Sequence, residues 1–161
     1  MKYFLRLLSQ VIMLLIIATI LGCLTNFLRS PQLAWRGAWA QHVEQRAWQA
    51  GIRLVGPTAV RHAIETGRPK ILDARPTIDF HTCHIPEAQS LPFELATEML
   101  TSMQIDLGRD PAIITYCARP DCDEGLELAL LLRRSGFTNV LLFAGGLTEW
   151  QLSGGRIEAS P

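Results

Sequence analysis

The sequence lacks an excess of charge of either sign. Its 15 lysines and arginines balance 15 aspartates and glutamates, so the formal net charge is zero. Proteins that bind nucleic acid usually carry a clustered basic surface, and we therefore expect no nucleic-acid partner. The sequence also has no internal repeat and no low-complexity tract. With 161 residues, 48% of them hydrophobic, the chain has room for one packed domain and an appendage.

The appendage is an apolar segment at the N-terminus. The stretch from Leu5 to Leu28 contains a single charged residue, Arg6, and is long enough for a helix that spans a bilayer. Lys2 and Arg6 favour a cytoplasmic N-terminus, whereas Arg29 on the far side weakens that preference. The sequence thus predicts a membrane anchor over residues 1–30, with the rest of the chain on the periplasmic or extracellular side.

Two other interpretations of the apolar segment stay open. A cleaved signal peptide needs small residues at its cleavage site, and no convincing Ala-x-Ala pattern follows the apolar core. A bacterial lipoprotein would carry its lipid on Cys23, although the bulky Leu21 fits the lipoprotein motif poorly. The anchor and the lipoprotein both tether the domain to a membrane outside the cytoplasm.

A second helix is expected after the apolar segment. Ser30-Pro31 is typical of a helix start and Gly51 of a helix end, so we assign residues 31–51 to a juxtamembrane amphipathic helix. Apolar residues recur every four positions in it: Trp35, Trp39 and Val43. This apolar stripe lies either at the membrane interface or against the domain.

From residue 52 to residue 161, strand-like and helix-like segments alternate. This pattern predicts an α/β fold, a parallel sheet with helices on both faces. The expected strands are Ile52–Val55, Lys70–Ala74, Ala112–Tyr116 as the central strand, and Val140–Phe143. The expected helices are Thr58–Thr66, Phe93–Met103, Gly125–Ser135 and a short one that Gly145-Gly146 opens.

Cys117 stands where the expected central strand ends and a polar loop leads to a helix. A helix start offers unpaired N–H groups and partial positive charge, which favour the nucleophilic thiolate. Open α/β sheets also bind their ligands at the carboxyl ends of the strands. We therefore interpret Cys117 as a nucleophile, and the alternative is a small buried hydrophobic residue.

Four blocks of the sequence resemble the rhodanese family of sulfurtransferases, between about Ile52 and Gly155. The blocks are Ile71-Leu72-Asp73-Ala74-Arg75; Phe80 with His84-Ile85-Pro86-Glu87-Ala88 and Leu91-Pro92; Tyr116-Cys117; and Gly136-Phe137 through Val140 to Gly145-Gly146-Leu147-Thr148-Glu149-Trp150. The resemblance implies a rhodanese-like fold in which Cys117 carries a transferable sulfur as a persulfide. It implies a small sulfur-containing donor and a thiol acceptor, and we expect no cofactor and no metal.

In this family the loop after the cysteine forms a cradle of backbone N–H groups, which suits an anionic persulfide. The residues that would form it here are Ala118, Arg119, Pro120, Asp121, Asp123, Glu124 and Gly125. The family pattern is Cys, four residues, Arg, and then Ser or Thr opening the helix. This chain departs from the pattern in two ways. Seven residues separate Cys117 from Gly125, whereas the pattern has five before the helix opens, and Cys122 or Glu124 stands where the Arg would be. The wider, less positive cradle argues against the dianion thiosulfate as a good substrate.

Cys122 is the second departure from the family pattern. Two thiols five positions apart on one loop can approach disulfide distance, and an oxidising exterior permits that bond. A subset of extracytoplasmic rhodanese-like domains is similar in carrying an Asp-Cys pair in this loop. Cys122 is therefore a candidate resolving thiol, which releases sulfide from a Cys117 persulfide or closes a disulfide with Cys117. The alternative is an incidental small residue.

Other residues in the matching blocks are expected to support the site. Asp73 and Arg75 at a strand end should form a charged pair that fixes the following turn, and His84 should orient its neighbours by hydrogen bonding. Gly145-Gly146 should let the backbone pass close to the loop, and Trp150 should be core. Cys83 with His81 and His84 offers only half of the paired ligand spacing of a structural zinc site.

Three functions remain in competition on the sequence alone. The first is a membrane-tethered sulfurtransferase that uses Cys117. The second is a dithiol redox module, in which Cys117 and Cys122 exchange electrons with another envelope protein. The third is a non-catalytic binding domain, because the family's Arg is missing. A phosphatase of the same fold is disfavoured, since no Arg follows at the helix start.

Overall fold

The computed structural model describes residues 2–28, 39–102, 107 and 112–160. The chain divides into two compact units, Met1–Gly37 and Ala38–Pro161. Helix α1 (Lys2–Leu28) lies in the first unit. By length and composition α1 is able to cross a membrane, and a signal sequence near an N-terminus meets the same criterion.

The second unit contains a five-stranded sheet and six α-helices among the residues that the structure describes. The strands are β1 (Arg53–Leu54), β2 (Lys70–Asp73), β3 (Ala88–Ser90), β4 (Ile113–Tyr116) and β5 (Val140–Phe143). The helices are α2 (Trp39–Gln49), α3 (Pro57–Thr66), α4 (Thr77–Thr82), α5 (Ala96–Thr101), α6 (Glu124–Arg134) and α7 (Gly146–Leu152), with a 3-10 turn at Phe93–Leu95 before α5.

The sheet is parallel throughout, with the strand order β1-β5-β4-β2-β3. Strand β4 is therefore central, as predicted, and all four of its residues are buried. The register pairs Tyr116 with Asp73 of β2 and with Phe143 of β5, so the carboxyl ends of these three strands are level. The α/β fold class is confirmed.

Helices cover both faces of the sheet. Alternate residues of a strand point to opposite faces, and Ile113 and Ile114 accordingly belong to two separate apolar clusters. The cluster on one face includes Val43 of α2 together with residues of α5 and α6. The cluster on the other face includes Val60 of α3 and Trp150 of α7, so the core position expected for Trp150 is confirmed.

Helix α2 packs on the domain through Val43 and Ala47, which are both buried. Val43 of the predicted stripe therefore lies against the domain. The expected start of this helix at Ser30, and Trp35 with it, lie outside the described residues. The helix ends before Gly51, whose φ of +69° is the left-handed conformation that glycine favours at a helix end.

Three features differ from the elements expected from the sequence. Strand β3 and helix α4 lie in a segment for which neither was expected. The single helix expected over Phe93–Met103 is a 3-10 turn followed by α5, which ends at Thr101. Helix α6 begins at Glu124, one residue earlier than expected, with two acidic residues in its first turn that interact favourably with the helix dipole.

Candidate functional site

The site is built at the carboxyl end of β4. Cys117 follows the last residue of that strand directly and is buried, with 4% of its surface exposed. The first turn of α7 holds the start of the loop: the Leu147 N–H donates to the Cys117 carbonyl at 2.9 Å, and the Thr148 N–H donates to the Ala118 carbonyl at 3.0 Å. The Thr148 hydroxyl donates to the same Ala118 carbonyl. Two backbone groups beside the cysteine are therefore fixed by another element.

Two glycines allow this close approach. Gly125 lies in the first turn of α6, so near to β4 that a Cβ atom there would lie 3.1 Å from the Tyr116 carbonyl carbon and 3.3 Å from the Cys117 nitrogen. Gly146 has a φ of +59°, and a Cβ atom on it would overlap the Cys117 carbonyl oxygen. The expectation that a glycine lets the backbone pass close to the loop is thus confirmed at Gly146.

The loop brings the two cysteines together. Cys117 and Cys122 form a disulfide, with their Cα atoms 6.1 Å apart, as the five-residue spacing allows. Cys117 is buried, whereas Cys122 is half-buried and nearer to solvent. A reagent from solution therefore reaches Cys122 more easily than Cys117.

A carboxylate contacts both sulfur atoms. The Glu124 Oε2 atom lies 2.6 Å from the Cys122 sulfur and 3.4 Å from the Cys117 sulfur. The three ligand atoms lie within 4.8 Å of one another and are, among the described residues, the group that could hold a metal ion. A soft metal would require the two thiolates, and hence the reduced form of the pair.

The other charges around the loop are paired with one another. The Arg119 guanidinium lies 3.2 Å from an oxygen of Asp121, and both side chains are exposed. Arg46 of α2 reaches Asp123 at 3.5 Å and also Glu127. Both arginines thus have carboxylate partners. The charged group that contacts the two sulfurs is the carboxylate of Glu124. The prediction of a less positive cradle fits this arrangement.

Asp73 and Arg75 form a buried ion pair at the carboxyl end of β2. Arg75 donates from Nε and Nη2 to the Asp73 carboxylate, at 2.9 and 2.6 Å, and Nη2 also donates to the Cys83 carbonyl at 2.6 Å. Burial acts to lower the pKa of Arg75, but the hydrogen bonds and charge of Asp73 together raise it above its ordinary value. The pair holds the turn after β2, which is the structural role expected for it.

Tyr116 extends this network and was not identified from the sequence. Its side chain is fully buried, and its hydroxyl accepts the Ile85 N–H at 3.1 Å and is hydrogen-bonded to Asp73. Burial, and then the charge of Asp73, raise the pKa of Tyr116 well above its usual range. Tyr116 therefore ties β4 to the segment after α4, immediately before the cysteine. A tyrosine at the end of a fully buried strand was the available signal.

His84 has a supporting position. Its ring stacks on Phe80 with centroids 4.0 Å apart, and its Nδ1 lies 2.8 Å from the Phe80 carbonyl, so Nδ1 carries the proton. The backbone of His84 pairs with Glu158. Among the described residues, Cys83, His81 and His84 do not come together as a group of metal ligands.

Comparison with known proteins identifies the same region of the chain. The family model described as "Rhodanese-like domain" matches residues 56–153, well over half of the chain. Two proteins of Zea mays, "Adenylyltransferase and sulfurtransferase" MOCS3-1 and MOCS3-2, are each 29% identical over 90 residues, which is 53% of this chain. That match covers 19% and 18% of those proteins, so the chain spans about a fifth of their length.

Solved structures give the same result. The Alr3790 protein from Anabaena sp. is 29% identical with a TM-score of 0.56, over 66% of this chain and 92% of that one. A thiosulfate sulfurtransferase from Pseudomonas aeruginosa is 26% identical with a TM-score of 0.57, over 68% of this chain and 20% of that one. The family match includes β4, the two-cysteine loop and the start of α7 that holds it, and the chain belongs to the rhodanese-like domain family.

Proposed function

We propose that this chain is a membrane-tethered sulfurtransferase that carries sulfur as a persulfide on Cys117 and passes it to a thiol acceptor. The position of Cys117 is the main support for this proposal. It is buried at the carboxyl end of the central strand and is followed by a loop and helix α6. A helix start behind a cysteine favours the thiolate form. Sulfurtransferase is also in the names of three of the similar proteins, the two from Zea mays and the one from Pseudomonas aeruginosa.

The transfer consists of two displacement steps. The Cys117 thiolate attacks the sulfane sulfur of a donor, a sulfur–sulfur bond forms on Cys117, and the donor leaves as a thiolate with the electron pair of the broken bond. An acceptor thiolate then attacks the outer sulfur of the persulfide. Cys117 leaves as a thiolate, ready for another cycle, and no electrons are gained or lost overall.

The charge of the site favours one class of donor. Glu124 faces the sulfurs at a place where the family pattern has an arginine, and a carboxylate repels a dianion such as thiosulfate. A donor of lower charge, such as a small-molecule persulfide, suffers less repulsion. We propose such persulfides as the donor class, and α1 as an anchor that keeps the domain outside the cytoplasm.

Cys122 is proposed as a resolving thiol, and the disulfide also favours a second candidate function. In that function Cys117 and Cys122 cycle between dithiol and disulfide and exchange electrons with a dithiol protein of the cell envelope. The two functions differ in what the reduced protein gains from a sulfane-sulfur donor. A sulfurtransferase gains one sulfur atom on Cys117 before Cys122 resolves the persulfide, whereas a redox module loses two hydrogen atoms without that gain.

Intact-protein mass spectrometry tests the proposal. The full chain is reduced, freed of reductant, treated with a small-molecule persulfide and weighed. We expect a lasting gain of one sulfur in Cys122→Ser, which has no resolving thiol, and a transient gain in the wild type and in Cys83→Ala, a matched control that removes a free cysteine. Cys117→Ser should gain none, because a serine hydroxyl cannot carry a persulfide. A wild type that loses two hydrogens while Cys122→Ser gains no sulfur supports the redox module, and an unchanged mass in the wild type contradicts both functions.

A further inference from the structure

The carboxylate of Glu124 is the acidic group placed against both reactive sulfur atoms. Its Oε2 atom lies 2.6 Å from the Cys122 sulfur and 3.4 Å from the Cys117 sulfur. We propose that Glu124 is a catalytic residue of the resolving step, which takes the proton of the Cys122 thiol and returns it to the sulfide that leaves. The inference rests on the proposed persulfide of Cys117 and goes beyond it.

In the disulfide-bonded structure neither sulfur carries a proton, so the Glu124 carboxylate contacts both sulfurs without accepting a hydrogen bond from them. When the disulfide is reduced, Cys122 becomes a thiol beside this carboxylate, and its S–H can then donate to Glu124 Oε2. Glu124 is exposed, which lets it exchange protons with water between cycles. The other charged groups of the loop are paired elsewhere: Arg119 with Asp121, and Asp123 with Arg46 of α2.

A nearby carboxylate makes direct proton transfer the favourable route. Ionisation of Cys122 to bulk water would place two negative charges within hydrogen-bonding distance, and like charges oppose such ionisation. Transfer of the proton to Glu124 leaves a single negative charge on the pair. An ordinary cysteine, with a pKa of about 8.5, is only a few per cent thiolate at pH 7, so a base in contact raises the supply of nucleophile.

The resolving step forms one disulfide bond and releases the outer sulfur of the persulfide. Cys122 gives its proton to Glu124 and attacks the Sγ atom of Cys117. The bond from Cys117 to the outer sulfur breaks, and the outer sulfur of the anionic persulfide leaves with the electron pair and takes the proton from Glu124, so it is released as hydrosulfide. The outer sulfur is reduced, and Cys117 and Cys122 end as the disulfide. An external dithiol must reduce this disulfide before the next cycle.

The experiment separates sulfur uptake from sulfide release. The full chain is persulfidated with a small-molecule persulfide, excess reagent is removed, and uptake by mass and hydrogen sulfide release by trapping are followed from pH 6 to pH 9. The variants are Glu124→Gln and Glu124→Asp, and the control is Glu98→Gln, which neutralises an exposed glutamate of α5.

We expect each of these proteins to take up one sulfur, so that release is compared from the same persulfidated species, whatever the effect of the Glu124 charge on the rate of uptake. Release at pH 7 should be slowed about tenfold or more in Glu124→Gln, since general acid–base catalysis commonly contributes at least that factor. The deficit should shrink towards pH 9, where Cys122 ionises without help, and Glu124→Asp should recover part of the rate. The Glu98→Gln control should match the wild type.

Three outcomes would overturn the inference. Release at the wild-type rate from Glu124→Gln at pH 7 would remove Glu124 from the step. A deficit of the same size at every pH would give Glu124 a structural role and not a proton-carrying one. Failure of the wild type itself to take up sulfur would remove the proposed function, and the resolving step with it, so the two failures are distinguishable.

Discussion

Among the single residues of the site, Glu124 supplies the negative charge beside the two sulfurs. The family pattern places an arginine before the helix, whereas here a carboxylate contacts the sulfurs of Cys117 and Cys122. The two arginines nearby, Arg119 and Arg46, are held by other carboxylates. A site of this charge suits thiol and persulfide chemistry with weakly charged partners better than the binding of a dianion.

Tyr116 leads to a prediction about alkaline pH. Because its pKa is raised in the folded state, the unfolded chain loses its tyrosine proton first, at about pH 10. The folded state then binds more protons than the unfolded state, so the Tyr116 contribution to stability is fully present below about pH 10 and falls above it. Tyr116→Phe should cost about 1–2 kcal/mol near pH 7, through loss of the hydroxyl's hydrogen bonds.

The measurement is the free energy of unfolding by urea at several pH values. Above about pH 10, wild-type stability should fall relative to Tyr116→Phe by about 1.4 kcal/mol per pH unit, so the difference between the proteins should narrow. A difference that stays constant from pH 7 to pH 11 would show that Tyr116 ionises with the same pKa in both states.

At the scale of elements, the first turn of α7 holds the cysteine loop in place. Gly146 combines a φ of +59° with a position where a Cβ atom would overlap the Cys117 carbonyl oxygen. Gly154 has a similar φ of +78°, but nothing among the described residues lies within 4 Å of a Cβ atom placed on it. A comparison of alanine substitutions at these two glycines therefore separates the cost of backbone strain from the cost of steric overlap.

We predict that Gly146→Ala is more harmful than Gly154→Ala. A left-handed alanine costs about 1–2 kcal/mol in either position, and at Gly146 the loop must also shift. Gly154→Ala should keep sulfur uptake near that of the wild type, while Gly146→Ala should lose most of it and be the less stable protein. The measurements are thermal unfolding and the mass gain on Cys117. Equal behaviour of the two variants would show that α7 does not determine the loop's geometry.

The sequence predicted strands β1, β2, β4 and β5 and missed strand β3 and helix α4. Strands β4 and β5 are apolar runs bounded by polar turns, and their type and order can be seen in the sequence. Strand β3 has three residues and helix α4 has six, which is too short for either periodicity to develop. Strand β3 forms because β2 is available to pair with it, and that is a tertiary effect.

The same limit applies to the site. The position of Cys117 follows from the end of β4, and the spacing to Cys122 indicates that a disulfide is sterically possible. The sequence placed Glu124 in the loop but not against the two sulfurs, because that contact depends on how the loop closes onto the start of α6. Tyr116 was missed because its partners, Asp73 and Ile85, come from other segments of the chain.

At the scale of the whole molecule, the apolar helix α1 and the two-cysteine loop support one proposal. An anchor with an outward-facing domain would place the cysteines in an oxidising compartment, where a disulfide persists. A dithiol protein of the envelope would then be needed to reopen the site. We therefore propose that the side of the membrane on which the domain lies determines whether the Cys117–Cys122 disulfide persists.

Protease protection tests the proposed side of the membrane. In spheroplasts of a bacterial host that express the full chain, external protease should remove the domain, because the anchor directs the carboxyl end outward. A cytoplasmic protein serves as the protected control. Digestion of the domain only after lysis would place it in the cytoplasm.

The lifetime of the Cys117 persulfide tests whether Cys122 acts as a resolving thiol. Persulfidated wild type and Cys122→Ser are followed by intact-protein mass spectrometry, with and without a dithiol reductant. If Cys122 resolves the persulfide, the first sulfur uptake should be the same in both proteins, and the persulfide should persist longer in Cys122→Ser because its internal attacking thiol is gone. Decay at the same rate in both proteins, under both conditions, would contradict a resolving role for Cys122 and leave a sulfurtransferase that uses Cys117 alone.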